Sequence, residues 1–361
     1  MICAANEIGL FEMFPHNERE ILDLTWTNAK PGTPMARALE LDDTVFEMEI
    51  TTNRPDAMGV IGLAREVGAI FNVKCKIENK KLNVARDFMS RKSGTRGAAL
   101  QVRVEVPKLC PRYMAVVMDG ITVGPSPWWM QRRLIASGVR PINNIVDITN
   151  YVLLEYGQPC HAFDADRLQT TDHRLQLVVR MGKKGEKILA LDGKTYDLDE
   201  NILVSADANP SSSAKQHYGA GRPVAIGGIM GGEETGVHAD TKRIVYESAN
   251  FDPVAVRHGE HQLVLSSDSS VRFNKGLPVE LLPFAAARLA ELTEQIAGGK
   301  VVQVVDRHNP SSPPLTLRGG KTVKVSPQEV AKLIGVNIPA PQMKKYLTAL
   351  GFSVRDGSAL G

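Results

Sequence analysis

The feature that most constrains the fold is the stretch 126–164, in which a helical pattern gives way to a dense mixture of polar and apolar residues. Ser126 and Pro127 are typical of a helix start, and Gly138 is typical of a helix end. The polar residues that follow lie between apolar neighbours: Asn143, Asn144, Asp147, Thr149 and Asn150. Because buried polar groups need hydrogen-bond partners, this irregular pattern indicates a site.

Composition excludes several classes of protein. The 361 residues are 43% hydrophobic and 23% charged, which suits about two or three globular domains. No apolar run approaches the roughly 20 residues of a membrane helix, and no basic segment precedes an apolar one at the N-terminus, so we expect a cytoplasmic protein without membrane contact. The four cysteines form no CxxC pair, which argues against a zinc site or disulfide framework. A formal charge of +3 is too small to indicate nucleic-acid binding.

The N-terminal region, residues 1–108, is expected to pack a strand on a helix and to end in a linker. Alternating apolar and acidic residues at 46–50 predict a half-buried strand. Asp56 is a candidate cap for a helix whose apolar stripe ends at Phe71. The basic run at 90–97 is typical of an exposed loop, with phosphate binding as the alternative.

The central region, residues 109–309, is predicted to be a mixed domain with antiparallel strands. Strand patterns separated by turn residues lie at 113–118, 175–180, 188–191, 202–204 and 244–246. A helical pattern covers 278–296 and stops at a Gly-Gly pair. The polar stretch 207–222 is predicted to be a surface insertion.

Two features of the central region are candidate ligand contacts. The glycine-rich turn at 227–232 permits close approach of the backbone to a neutral ligand, whereas Glu233 and Glu234 would repel a phosphate. A turn without a ligand is the alternative. Glu247 ends an apolar strand pattern, where a solvated carboxylate is common. The HGEH sequence at 258–261 lacks a convincing third ligand, so we expect no metal site.

Residues 310–361 are predicted to form a separate, partial helical domain, which begins with a Pro- and Ser-rich segment. A strand is predicted at 321–325, and Ser326 is expected to cap a helix that stops at a glycine. A second helix is predicted at 341–350.

Several longer motifs occur in a fixed order along the chain. They are RPINNIVDITNY at 140–151, GQP and HAFD within 157–164, GGIMGGEE at 227–234, ESANFDP at 247–253, and DSS and RF within 268–273. Together they resemble the editing domain in the beta subunit of bacterial phenylalanyl-tRNA synthetases, and the resemblance covers nearly the whole chain. It implies an α+β fold in which a large editing domain with antiparallel β structure is flanked by a partial N-terminal α/β domain and a partial C-terminal winged-helix-like domain.

The resemblance also implies the hydrolysis of tyrosine wrongly esterified to phenylalanine tRNA. The residues that it places around the editing pocket are Thr149, Asn150, His161, Gly228, Gly231, Glu247 and Ser269. In this interpretation His161 orients or deprotonates water, while Thr149 and Asn150 hold the amino-acid end or the ribose. Glu247 accepts a hydrogen bond from the phenolic hydroxyl, which phenylalanine lacks. Gly228 and Gly231 bind the substrate too, and Ser269 replaces a common alanine, which makes the pocket wall more polar or narrower.

Partners follow from the same resemblance. It implies two partners: an alpha subunit, in an α2β2 heterotetramer, and tRNA(Phe). It also implies that aminoacylation with ATP and Mg takes place on the alpha subunit and that editing requires no cofactor. The oligonucleotide-binding-fold insertion of the family is missing, so we expect a truncated or partial beta subunit. The alternatives are a non-catalytic structural or tRNA-positioning module and a stand-alone editing hydrolase.

Overall fold

The computed structural model describes residues 4–10, 13–14, 20–73, 88, 100–168, 170–171, 174–207, 221–309 and 322–355. The helices are α1 (Met35–Ala38), α2 (Val60–Ile70), α3 (Trp128–Ala136), α4 (Asn144–Tyr156), α5 (Pro253–Leu263), α6 (Asp268–Phe273), α7 (Leu282–Ile296), α8 (Pro327–Ile334) and α9 (Ala340–Ala349). The strands are β1 (Gln101–Val104), β2 (Arg112–Ile121), β3 (Cys160–Asp164), β4 (Thr170–Thr171), β5 (Arg174–Met181), β6 (Glu186–Leu189), β7 (Thr195–Leu198), β8 (Leu203–Asp207), β9 (Pro223–Ile226), β10 (Met230–Gly231), β11 (Arg243–Asn250) and β12 (Gly298–His308). No helix within these ranges has the length and apolar character to cross a membrane.

Two sheets form the centre of the molecule. The four-stranded sheet has the order β12-β2-β11-β3, and all its neighbours are antiparallel. The second sheet has the order β1-β5-β8-β9-β10, with β4 beside β5. In it, β1 and β5 are parallel and the other pairs are antiparallel, while β6 and β7 pair separately. The mixed α+β architecture predicted from the sequence is therefore confirmed.

The four-stranded sheet separates two hydrophobic cores, because successive side chains on a strand point to opposite faces. On one face, Tyr113 and Val117 of β2 pack in the same core as Val204 of the second sheet. On the other face, Met114 and Val116 pack with apolar residues of α3, α4 and α7. A side chain on this sheet therefore belongs either to the core between the sheets or to the core under the helices.

Helix α4 occupies part of the stretch in which the helical pattern was expected to give way, so the helix continues the chain where none was predicted. Asn143 caps the helix, because its Oδ1 accepts hydrogen bonds from the backbone amides of Ile145 and Val146 at 3.1 and 3.0 Å. Ile145, Ile148 and Val152 form the buried apolar stripe. The polar residues on the other faces of the helix hid this stripe in the sequence.

Ser126 does not cap α3, contrary to the prediction. The helix begins at Trp128 after Pro127, and no side chain caps it. The Ser126 hydroxyl instead donates to Oδ2 of Asp147 at 2.6 Å, and Oδ1 of Asp147 accepts a bond from the backbone amide of Ile142 at 2.8 Å. Asp147 thus ties the start of α3 to the start of α4.

The N-terminal region contains the predicted helix α2 but not the predicted strand. Residues 41–50 form no strand, and the side chains of Phe46 and Met48 are 79% and 51% exposed. Alternation made them look half-buried, but no neighbouring strand bonds to this segment in the part of the chain described. Asp56 does not cap α2 either, because its carboxylate pairs with the Arg54 guanidinium at 2.9 Å.

The C-terminal helices α8 and α9 lie close to their predicted positions. Ser326 and Glu329 form a reciprocal capping box at the start of α8, and Gly335 ends the helix with a φ of 81°. The strand predicted at 321–325 is wrong for residues 322–325, which form no strand. The winged-helix character of this region and the three domain boundaries stay predictions.

Three predicted segments lie wholly or mainly outside the described residues: the basic run 90–97, the insertion 207–222 and the Pro-rich segment 309–314. The two ends of the insertion are described. The Asp207 amide donates to the carbonyl of Arg222 at 2.9 Å, and the Arg222 amide donates to Oδ1 of Asp207 at 2.9 Å. Their side chains also form an ion pair at 3.1 Å. The end of β8 and the residue before β9 are therefore bonded to each other.

Candidate functional site

Glu247 and His161 lie directly opposite each other on the neighbouring strands β11 and β3. Paired residues share a face of the sheet, so both side chains lie on the face of Val245 and Phe163, which belong to the core between the two sheets. The Phe163 ring contacts the His161 ring edge-on, with 4.5 Å between centroids. Glu247 was expected at a strand end, but it lies within β11, because the strand continues to Asn250.

Glu247 is 7% exposed, and its carboxylate is held by two hydroxyl groups. Tyr113 donates to its Oε2 at 2.5 Å, and Ser205 donates to the same oxygen at 2.9 Å. Burial raises the pKa of Glu247, and the two hydrogen bonds oppose this rise. Oε1 accepts neither bond, so it keeps acceptor capacity for a further donor.

The His161 imidazole is kept neutral by its surroundings. Burial lowers the pKa of His161 to about 4. Its Nε2 atom is buried and has no hydrogen-bond partner among the described residues. A neutral imidazole nitrogen without a partner can accept a hydrogen bond or a proton from a water molecule or a ligand.

The predicted glycines pack tightly against their neighbours. A Cβ atom on Gly231 would lie 2.2 Å from Cε1 of His161. Gly228 has a φ of 74°, and a Cβ atom there would lie 2.9 Å from Val256 and 3.1 Å from Phe273. Steric contact alone therefore requires glycine at both positions, and at Gly231 the contact is with the candidate catalytic residue itself.

Ser269 lies in the first turn of α6, near the glycine-rich turn. Ser267 caps this helix and forms a capping box with Ser270. The Ser267 hydroxyl also donates to the carbonyl of Ile229 at 2.7 Å, which ties the start of α6 to the glycine-rich turn. Ser269 is half-buried beside this joint.

Thr149 and Asn150 lie on α4, which covers the opposite face of the four-stranded sheet. The apolar stripe of α4 packs in the core of Tyr246, whereas His161 faces the second sheet. The Thr149 hydroxyl donates to the carbonyl of Val146 at 2.7 Å, and Asn150 is half-buried. Since β3 is an edge strand, the flank of α4 can meet His161 only around that edge. The shared role of these residues with His161 stays a prediction.

Three buried polar residues that bond to Glu247 or to its strand β11 were not predicted as site residues from the sequence. Tyr113 and Ser205 are fully buried in strands of apolar character, so only their hydroxyl groups at inward-facing positions could have indicated a site. Gln158 is also fully buried, and its Nε2 donates to the carbonyls of Pro159 and Ala249 at 3.0 and 2.9 Å. Its Oε1 has no partner within the described ranges, which leaves one more buried acceptor.

Two cavities lie outside this cluster. A cleft of about 770 Å³ between α2 and α9 is lined by Arg65, Lys344 and Lys345, among others. A cavity of about 40 Å³ includes Ile188 and Gly232 in its lining. The candidate site is therefore assigned on contacts and chemistry. Among the described residues, no group of three or more side chains could hold a metal ion.

The comparison with known families decides the assignment. A family model described as B3/4 domain matches residues 109–298, which is more than half of the 361-residue chain. The chain belongs to the B3/4 domain family. All the residues of the Glu247 and His161 cluster lie within the matched range.

The B3/4 match is supported by close relatives. The chain is 36% identical over 358 residues to a phenylalanine–tRNA ligase beta subunit of Carboxydothermus hydrogenoformans, an alignment that covers 99% of this chain and 41% of the relative. It is 38% identical over 357 residues to the corresponding subunit of Moorella thermoacetica, with 98% and 41% covered. The chain is thus a homologue of phenylalanine–tRNA ligase beta subunits and spans about two fifths of the length of these curated relatives.

One solved structure has a low similarity to this fold. An N-terminal fragment of the phenylalanyl-tRNA synthetase beta subunit from Pyrococcus horikoshii matches with a TM-score of 0.36 and 15% identity, over 88% of this chain and 82% of that one. The membership in the B3/4 family comes from the sequence comparisons.

Proposed function

We propose that this chain hydrolyses tyrosine from mischarged tRNA(Phe), as the editing part of a phenylalanine–tRNA ligase beta subunit. The observation that carries the proposal is the pair of Glu247 and His161, which lie opposite each other on one face of a sheet. Glu247 is buried, and the buried Nε2 of the neutral His161 imidazole has no hydrogen-bond partner among the described residues. Homology to phenylalanine–tRNA ligase beta subunits supports the same reaction.

Glu247 is the residue that recognises the amino acid. Tyrosine and phenylalanine differ by one phenolic hydroxyl, which can donate a hydrogen bond to the carboxylate. A phenylalanine ring in the same place would remove water from the carboxylate without supplying a donor. Sites built to bind a hydroxyl reject the analogue that lacks it by up to about 10⁴–10⁵-fold.

His161 acts on the water that attacks the ester. Its unpartnered Nε2 can accept a proton while the water oxygen bonds to the ester carbonyl carbon. The bond between that carbon and the ribose oxygen then breaks, and the ribose oxygen takes up the proton. Thr149 and Asn150 hold the amino-acid end or the terminal ribose. No cofactor is needed for this step.

The glycine-rich turn and Ser269 complete the proposed pocket. Gly228 and Gly231 bring backbone close to the substrate, and Ser269 forms part of the pocket wall. Backbone amides near a glycine-rich turn are suitable donors for the negative charge that develops on the ester oxygen.

The partners of the proposed activity are an alpha subunit, in an α2β2 heterotetramer, and tRNA(Phe). Aminoacylation with ATP and Mg takes place on the alpha subunit. The chain supports that synthesis by removing its errors in the cytoplasm.

A non-catalytic role as a structural or tRNA-positioning module is the second candidate. It is favoured by the hydrogen bonds that Glu247 already receives from Tyr113 and Ser205, because a satisfied buried network can serve packing alone. This candidate predicts tRNA binding without ester hydrolysis.

The test is the deacylation of tyrosyl-tRNA(Phe) by the chain, alone and mixed with an alpha subunit. His161→Ala should slow hydrolysis by about 10²-fold or more if the imidazole is a general base. A smaller loss would indicate that it positions the water. His308→Ala is the matched control, because Nε2 of His308 on β12 is also buried without a partner in the described part of the chain. Absence of hydrolysis by the unaltered chain in both states, or an equal loss in the two variants, would refute the proposal.

A further inference from the structure

The Glu247 carboxylate connects the two sheets through hydroxyl groups. Tyr113 belongs to β2 of the four-stranded sheet, and Ser205 belongs to β8 of the second sheet. Both side chains are fully buried, and both donate to the single oxygen Oε2, at 2.5 and 2.9 Å. The orientation of the carboxylate is therefore fixed from two directions.

The chemistry of these two donors differs from that of an ion pair. A phenol and an alcohol stabilise the ionised carboxylate by hydrogen bonding but do not neutralise its charge. An arginine in their place would occupy both carboxylate oxygens and neutralise the charge. With two hydroxyl donors on Oε2, Oε1 remains an acceptor in a nearly dry environment.

We propose that Tyr113 and Ser205 are positioning residues that set the amino-acid selectivity of the site, by holding Glu247 so that Oε1 alone is presented to the phenolic hydroxyl of the substrate. This inference rests on the proposed editing function. It accounts for selection of a donor: a ligand without a hydroxyl leaves a fixed acceptor without a partner. A mobile carboxylate could turn away from such a ligand and would discriminate less.

The titratable neighbours of Glu247 allow the inference to be tested by pH. They are His161 opposite it on β3, Tyr113 on β2, the buried Cys110 and the half-buried Cys160. Burial raises the pKa of both cysteines and of Tyr113, so these three groups stay uncharged in the acidic range. Burial lowers the pKa of His161 to about 4 and raises the pKa of Glu247.

The variants are Tyr113→Phe and Ser205→Ala, each of which removes one oxygen from a buried position. The matched control is Tyr246→Phe, because Tyr246 lies next to Glu247 on β11, is fully buried, and bonds through its hydroxyl to Thr293 in the other core. For each protein, with the alpha subunit present, kcat/KM is measured for the hydrolysis of tyrosyl- and phenylalanyl-tRNA(Phe) from pH 4 to 8. Binding of free tyrosine and free phenylalanine is measured by calorimetry.

Both test variants should lower the preference for tyrosine by about 10-fold, the loss expected when one hydrogen bond to a charged group is removed. The acid limb of the pH profile should move to higher pH, because loss of a donor raises the pKa of Glu247. Tyr246→Phe should change neither quantity, even if it lowers the melting temperature.

The outcomes separate this inference from the proposed function. If the unaltered chain prefers tyrosine but Tyr113→Phe and Ser205→Ala keep its selectivity and acid limb, the positioning role is refuted and the editing function stands. The positioning role is also refuted if Tyr246→Phe lowers selectivity equally, since the effect is then general destabilisation. If the unaltered chain neither hydrolyses the esters nor prefers tyrosine in binding, both proposals fail.

Discussion

Gly231 and His161 are in such close contact that no side chain fits between them: a Cβ atom on the glycine would lie 2.2 Å from Cε1 and 2.6 Å from Nε2 of the imidazole. The glycine lies on β10 of one sheet and the histidine on β3 of the other. The position of the candidate catalytic ring is thus limited by backbone from the opposite sheet.

The first prediction follows from this contact. Gly231→Ala should displace the His161 ring, slow ester hydrolysis and destabilise the fold by about 1–3 kcal/mol, the usual cost of overpacking. Chemical denaturation and the NMR signals of the imidazole measure these effects. Gly124→Ala is the control, because a Cβ atom there meets nothing within 4 Å. An unchanged imidazole environment in Gly231→Ala would contradict the prediction.

His161 should make stability depend on pH. Burial lowers its pKa from 6.5 to about 4, so between these values the unfolded chain binds more protons than the folded one. The contribution of His161 to folding is therefore complete above pH 6.5 and is lost as pH falls, by about 1.4 kcal/mol per pH unit. We expect the difference in unfolding free energy between the unaltered protein and His161→Gln to show this slope. A constant difference from pH 7 to 4 would show that the imidazole is not buried in the neutral form.

Glu247 should have the opposite effect. Its folded-state pKa is raised above 4.5, so its contribution to stability is complete below pH 4.5 and is lost as pH rises through the folded value. Glu247→Gln should consequently melt higher than the unaltered protein at pH 7, by about 2–4 °C for each kcal/mol gained, and the advantage should shrink toward pH 4.5. Tyrosine binding should weaken in the same variant. A lower melting temperature at neutral pH would show that the charge stabilises the fold.

Asp147 should matter more to stability than the helix cap beside it. Asp147→Ala leaves the buried Ser126 hydroxyl without its acceptor and also removes the bond to the Ile142 amide, which should cost about 2–3 kcal/mol. Asn143→Ala removes only the cap of α4 and should cost about 1 kcal/mol. Urea denaturation of both variants gives the comparison. Equal losses would mean that the connection between α3 and α4 adds nothing.

Much of the fold could be predicted from the sequence where a local pattern decides it. The turn residues around 182–201 and the stripe of α7 gave the correct element types. The segment at 46–50 failed because a strand exists only when a partner strand bonds to it, and alternation contains no information about partners. The capping role of Ser126 failed because Asp147, distant in sequence, binds the same hydroxyl.

The candidate site could be predicted only in part. His161 and Glu247 were indicated by motifs, but their direct pairing depends on the register of β3 and β11, which no local pattern fixes. Tyr113 and Ser205 were missed because a buried hydroxyl is recognisable only once its acceptor is placed. Thr149 and Asn150 belong to the motif at 140–151, yet they lie on a helix that covers the opposite face of the sheet.

The bonds between Asp207 and Arg222 make the segment between these two residues suitable for protein engineering. The Asp207 amide bonds to the Arg222 carbonyl, the Arg222 amide bonds to the Asp207 carboxylate, and the two side chains form an ion pair, so the end of β8 is held to the residue before β9. Each doubling of the length of chain that joins them costs only about 0.6 kcal/mol of loop-closure entropy. A peptide tag or a fluorescent reporter can therefore be inserted between these two residues without altering the strand register that supports Ser205.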